Sequence, residues 1–105
     1  MKRYQIIIMP SAREGLLVIG EYIALDNPTR AITFVDEMTT SLNKTLSIFP
    51  YSGKIVKELD LIDEIRIWPY DHYNSYYRVL DDKQIVEILF VFNASRDISS
   101  LITSL

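Results

Sequence analysis

Arginine is interleaved with aromatic side chains over one stretch of this chain: Arg66, Trp68, Tyr70, Tyr73, Tyr76, Tyr77 and Arg78. Guanidinium groups grip phosphate and rings stack on bases, so the pattern fits a nucleic-acid contact. The same residue types also fill sheet faces and protein interfaces, and that reading carries more weight here. A second candidate is Arg96-Asp97, just ahead of Ile98, Leu101, Ile102 and Leu105. Asp97 suits a helix N-terminus with Arg96 pairing locally, or the two form part of a functional surface. His72 is the sole imidazole, no pair of carboxylates at i, i+4 accompanies it, and cysteine is absent. A useful metal site needs several ligands, so metal catalysis, a disulfide framework and thiolate chemistry are set aside. No phosphate loop, dinucleotide fingerprint or nucleophile–base pair is legible, and no cofactor is implied.

Those residues belong to a chain of 105 residues, which reads as one domain over 1–105. Apolar residues are 49% and charged residues 24%, a globular balance. Net charge is −3, and the deficit is local. Residues 1–60 carry seven bases and seven acids, whereas 61–105 carry four and seven. An acidic chain lacks the general attraction to phosphate, so nucleic-acid binding by the chain alone is not expected. The start, Met1-Lys2-Arg3 then Ile6-Ile7-Ile8-Met9, mimics a signal peptide. Its apolar run stops at Pro10, short of the roughly 7–15 residues required. Nothing approaches the ~20 apolar residues of a membrane span, so a soluble, cytoplasmic chain without membrane contact is expected.

Tyr4 to Met9 is β-rich and too short for a helix. Ser11 and Glu14 have the spacing of a capping box, and Ala12, Leu16, Ile19 and Ile23 then recur at helical spacing. Gly15 and Gly20 each weaken that helix by ~1 kcal/mol relative to Ala, so a close neighbour or tertiary contacts must hold it. Asn27-Pro28 supplies an N-cap and a first helical residue. A second stripe follows through Ala31, Val35, Met38, Leu42, Leu46 and Phe49 until Pro50, giving an antiparallel αα-hairpin. Residues 50–63 read as loop. Strands are predicted at Ile65 to Trp68, Tyr76 to Leu80 and Ile85 to Phe92, the last two paired through Asp81-Asp82-Lys83-Gln84. Ile85 to Phe92 is apolar nearly throughout, as a strand covered on both faces would be. Ser95-Arg96-Asp97 opens a predicted final helix. The order is β-αα-βββ-α, an α+β domain whose mainly antiparallel sheet packs against the helical hairpin.

Tyr22-Ile23-Ala24-Leu25-Asp26-Asn27-Pro28, with Ala31 and Phe34, resembles the helical hairpin of the ParE-like (plasmid stabilisation) branch of the RelE/ParE toxin family. Tyr77-Arg78-Val79, Asp81-Asp82, Ile88, Val91 and Arg96-Asp97-Ile98 follow the order of that family's C-terminal half. The resemblance implies the toxin of a type II toxin–antitoxin pair, neutralised by an antitoxin laid over it. ParE-like members poison DNA gyrase by protein contact, whereas RelE-like members cleave messenger RNA in the ribosome. The ribonucleases' strand arginine falls here at Asn74 and their late tyrosine near Ile102, while the histidine usual before the ParE R-D motif is Asn93. The first two departures favour a gyrase poison that is not an enzyme, whereas Asn93 departs from the ParE pattern itself and keeps an inactive chain open. The alternatives are a ribosome-dependent ribonuclease, for which Arg66, Arg78 and Arg96 must converge, and an inactive chain that only binds its antitoxin. The implied toxic surface is Arg66, Tyr77, Arg78, Asn93, Arg96 and Asp97. Trp68, Tyr70, Tyr73 and Tyr76, with one side of the second helix, are the candidate antitoxin contact. So apolar a chain is expected to self-associate without its partner.

Overall fold

The computed structural model describes residues 3–59 and 63–97. Its elements run β1 (Gln5–Ile8), α1 (Pro10–Ala24), α2 (Pro28–Ile48), β2 (Lys54–Ile55), β3 (Arg66–Tyr70), β4 (Tyr73–Leu80) and β5 (Ile85–Asn93). Single 3-10 turns occupy Lys57–Leu59 and Asp81–Lys83. The strands form one sheet in the order β1-β5-β4-β3-β2. Every neighbouring pair is antiparallel except β1 with β5. The α+β class, the hairpin and the mainly antiparallel sheet are as the sequence predicts.

Several details differ, and both middle strands are longer than predicted, β3 running on to Tyr70 and β4 starting at Tyr73. The segment read as loop contains β2, which adds a fifth strand by pairing Lys54 with Ile67 and Ile55 with Arg66. Two residues are too few to show a period. Helix α1 starts at Pro10 with Met9 as its N-cap, and no side chain caps it. Proline pre-sets φ and needs no partner for a missing N–H at the first helical position, so the start moves there. Ser11 then lies inside the first turn, and the capping box does not form. Ser95 to Asp97 are turn and irregular backbone, and the rest of the predicted final helix lies outside the described residues.

The second helix begins as its sequence dictates. Asn27 Oδ1 accepts from the Arg30 N–H at 3.0 Å, with Pro28 in the first turn. Ala31, Phe34, Met38, Leu42 and Leu46 face inward with Ala12 and Ile19 of α1. They pack on Tyr73, Tyr77, Val86, Ile88 and Val91 of the sheet. Phe49 leaves the predicted stripe because α2 ends at Ile48, and its ring is exposed. A smaller core of Val56, Leu59, Ile65 and Tyr76, flanked by Ile67, Phe90 and Phe92, covers the other face. So β5 is buried on its helix side and only partly covered on the other, where Leu89, Phe90 and Phe92 are half-buried. Its switch of parity comes from a bulge: Tyr76 pairs with Phe90 and Tyr77 with Ile88, which leaves Leu89 without an opposite residue.

Candidate functional site

The three arginines do not converge. Arg66 pairs across the strands with Tyr77 and lies on the helix side of the sheet. Arg78, one residue beyond Tyr77, lies on the other side opposite Glu87. Each is already bound. Arg66 Nη1 donates to the carbonyls of Tyr51 at 3.1 Å and Gly53 at 2.8 Å, while Nη2 donates to Glu64 at 2.9 Å. Its guanidinium also stands 5.1 Å from the Tyr51 ring centroid. Arg78 Nε donates to Glu87 at 2.6 Å and Nη1 to Asp63 at 2.9 Å. The hydrogen bond to Glu87, then that to Asp63, raises the Arg78 guanidinium pKa above its ordinary value. Neither cation is arranged to meet phosphate.

Tyr77, one of the residues expected on the toxic surface, does not lie at the surface of the domain. It is fully buried, its hydroxyl donating to the Pro50 carbonyl at 2.8 Å and accepting from the Gly53 N–H at 2.9 Å. The aromatic cluster proposed to meet the antitoxin is also divided. Trp68, Tyr70 and Tyr73 lie on the helix side, where Trp68 stacks on Tyr70 at 5.6 Å and Phe34 meets Tyr70 and Tyr73 edge-on. Tyr76 lies on the opposite side, and both Tyr73 and Tyr76 are buried. Alternation along β4 sends neighbouring residues to opposite faces, so one run cannot form one patch.

Asn93, Arg96 and Asp97 are exposed together where β5 ends. Asn93 Oδ1 accepts from the Ser95 N–H at 2.9 Å and hydroxyl at 2.7 Å. The Arg96 N–H donates to the Asn93 carbonyl at 3.0 Å. This turn sets the Arg96 guanidinium 4.1 Å from the Phe92 ring centroid. Beside it a groove of about 500 Å³ runs between α1 and β5, with Gly15, Val18, Tyr22, Val91 and Arg96 among the residues that line it. Of the six candidate residues, these last three alone share one exposed corner.

Sequence reasoning missed the outer face of α1. Leu17, Val18 and Tyr22 are each more than half exposed, and Leu25 and Ile32 extend the apolar surface at the hairpin tip. A signal was present, since four successive apolar residues, Leu16 to Ile19, cannot all fit one helical stripe. Among the described residues no group of His, Asp or Glu could hold a metal ion, and no helix is long and apolar enough to cross a membrane.

The sequence profile of the ParE toxin of the type II toxin–antitoxin system parDE matches residues 6–98. The chain belongs to the ParE toxin family. It is therefore a toxin of the type II toxin–antitoxin class. Among solved structures it is similar to the toxin–antitoxin complex RelBE2 from Mycobacterium tuberculosis, with TM-score 0.67 and 21% identity over 90% of this chain and 97% of that one. It is also similar to the chromosomal ParDE system of P. aeruginosa, with TM-score 0.70 and 17% identity over 89% and 98%. At such identities the likeness establishes the RelE/ParE fold alone. No curated protein matches the chain.

The ParE-family domain carries a set of tyrosines with an alkaline signature. Hydrogen bonding to Asp81 pushes the Tyr4 phenol up to about 12, and Tyr51 also donates to Asp81, at 3.1 Å. Burial raises the phenols of Tyr51, Tyr73, Tyr76 and Tyr77. A phenol raised in the folded state holds its proton better there than in the unfolded chain, where its pKa is about 10. Their contribution is therefore complete below pH 10 and is lost as pH climbs through the folded values. Urea midpoints should be nearly level from pH 8 to 9 and lower at pH 11. A midpoint unchanged at pH 11 would show that the phenols ionise equally well in both states.

Proposed function

We propose that this toxin stops growth by binding DNA gyrase in the cytoplasm and poisoning it, without cutting RNA. The observation that supports this most is the separation of Arg66 from Arg78 on opposite sheet faces, each held by a carboxylate. A ribonuclease needs a positioned proton-transfer group and preorganised charge, each worth several kcal/mol of barrier. Asn74 and Ile102 stand where the resemblance places the ribonucleases' arginine and tyrosine, so that machinery is missing in kind as well as in place. The exposed Asn93–Arg96–Asp97 corner is the surface we assign to gyrase.

Purified gyrase assayed with and without the protein should lose supercoiling and accumulate cleaved DNA. Normal supercoiling at excess protein would reject the proposal. Transcripts in a translating extract should stay intact, and new 5′ ends would turn the reading to ribosome-dependent cleavage. Arg96→Ala should weaken gyrase inhibition at least tenfold, which is about 1.4 kcal/mol of contact. Stability should change by no more than ~0.5 kcal/mol, because the side chain is exposed. A large drop in denaturation midpoint would instead make Arg96 a structural residue.

A further inference from the structure

We infer that the groove between α1 and β5 receives an amphipathic helix of gyrase, its apolar stripe on Val18 and Tyr22 and an acidic residue against Arg96. The inference rests on the gyrase reading of this toxin and says where the target enters and in what form.

The wall of the groove follows from one close approach. α1 lies so near β5 that a Cβ on Gly15 would collide with the Val91 carbonyl oxygen. Residues three and seven further along a helix share one side of it, so Val18 and Tyr22 flank that contact. Both are apolar in body, yet they remain 56% and 69% exposed. The volume of about 500 Å³ suits several side chains of a ligand rather than one. Backbone pairing then decides the form of the occupant. β5 is bonded to β4 on one side, and past Ile88, where its pairing with β1 stops, α1 stands against the other. An extended peptide lying in the groove therefore finds no ladder to join, and strand addition draws its affinity from that ladder. A helix satisfies its own backbone and needs only the apolar wall.

Charge sets the rest of the pattern. Arg96 is the one cation among the described lining residues, and Glu14, on the α1 side, is the one carboxylate. Arg30, Arg66 and Arg78 each hold a carboxylate at hydrogen-bond distance. Among the described residues Arg96 holds none, and its guanidinium packs instead 4.1 Å from the Phe92 ring centroid. A guanidinium already held in place loses little freedom when it binds, and arginine with tyrosine is a pairing that anchors interfaces. The acidic residue of the incoming helix therefore belongs on the side facing β5, away from Glu14.

The test uses purified gyrase and the full chain. Val18→Ser and Tyr22→Ala should each weaken inhibition of supercoiling about tenfold or more, with denaturation midpoints close to wild type. Leu17→Ser and Leu25→Ser remove apolar side chains that are equally exposed but lie outside the groove, and they should inhibit as the wild type does. Tyr22→p-benzoylphenylalanine, irradiated with gyrase, should crosslink to a segment whose apolar residues recur at i, i+3, i+4 and i+7 with an acid beside them. The crosslink decides the matter even where a serine or alanine variant fails to fold. Full inhibition by Val18→Ser and Tyr22→Ala, or a crosslink to a segment without that pattern, overturns the inference and leaves the gyrase reading standing. Equal losses in the Leu17 and Leu25 variants overturn it too, since the groove would then have no special part. Failure of the wild-type chain to inhibit gyrase removes both.

Discussion

Replacing Gly15 by alanine should destabilise the domain by about 2–3 kcal/mol, whereas the same change at Gly20 should stabilise it by up to ~1 kcal/mol. The two glycines sit in one helix, five residues apart, and propensity alone predicts the same gain for both. Packing separates them. A Cβ on Gly15 would stand far inside van der Waals distance of the Val91 carbonyl oxygen, a backbone atom of β5. Neither partner can rotate away, so α1 must lift from the sheet, and overpacking of this kind costs ~1–3 kcal/mol or occasionally more. A Cβ on Gly20 would meet only Val35 Cγ2, at 3.7 Å, an ordinary contact. Denaturation midpoints of the two variants should therefore move in opposite directions. Equal shifts would mean that helix propensity, not the α1–β5 approach, governs both positions. The comparison has a functional side, because Gly15 also lines the groove next to Arg96. Lifting α1 there should weaken gyrase inhibition in the fraction that remains folded.

The elements were legible where residues repeat with a period. Asn27-Pro28 marked the hairpin turn, the stripe from Ala31 to Leu46 marked α2, and the apolar run from Ile85 marked the strand β5, though its far face is only half-buried. The two glycines called for a close neighbour or for tertiary contacts, and at Gly15 the structure shows the close neighbour. What failed to show was anything decided by parity or by distant partners. Tyr76 and Tyr77 are adjacent and both tyrosine, yet one lies in each core, because the pleat assigns neighbours to opposite sides. Arg66 and Arg78 look like a shared basic site until their carboxylates, Glu64, Asp63 and Glu87, are placed around them. Asp63 is fifteen residues from its arginine, and no spacing rule connects the two. The exposed corner at Arg96 was legible through the family's R-D motif. The groove that borders it was not, since it needs α1 and β5 to be brought together.

Tyr77→Phe should cost about 2–4 kcal/mol, a large effect for the loss of one oxygen atom. That hydroxyl is the only described partner of two buried backbone groups in the 50–53 loop, the Pro50 carbonyl and the Gly53 N–H. Phenylalanine keeps the ring in the core and leaves both groups without a bond, and each orphaned group costs ~1–3 kcal/mol. The loop in turn presents the Tyr51 and Gly53 carbonyls to Arg66, so loosening it also exposes that guanidinium to water. Gly53 belongs to the same unit. A Cβ there would collide with the Tyr77 hydroxyl and lie 2.6 Å from the Ile67 carbonyl oxygen. Gly53→Ala should therefore be severe in the wild-type chain and less damaging in the Tyr77→Phe background, where the hydroxyl half of the collision is gone. Groups that share a contact couple by ~0.5–3 kcal/mol, so a double-mutant cycle reads the effect directly. Strict additivity would show that the loop and the ring act independently. Gyrase inhibition by Tyr77→Phe, corrected for the folded fraction, should match the wild type. A loss beyond that fraction would return Tyr77 to the toxic surface despite its burial.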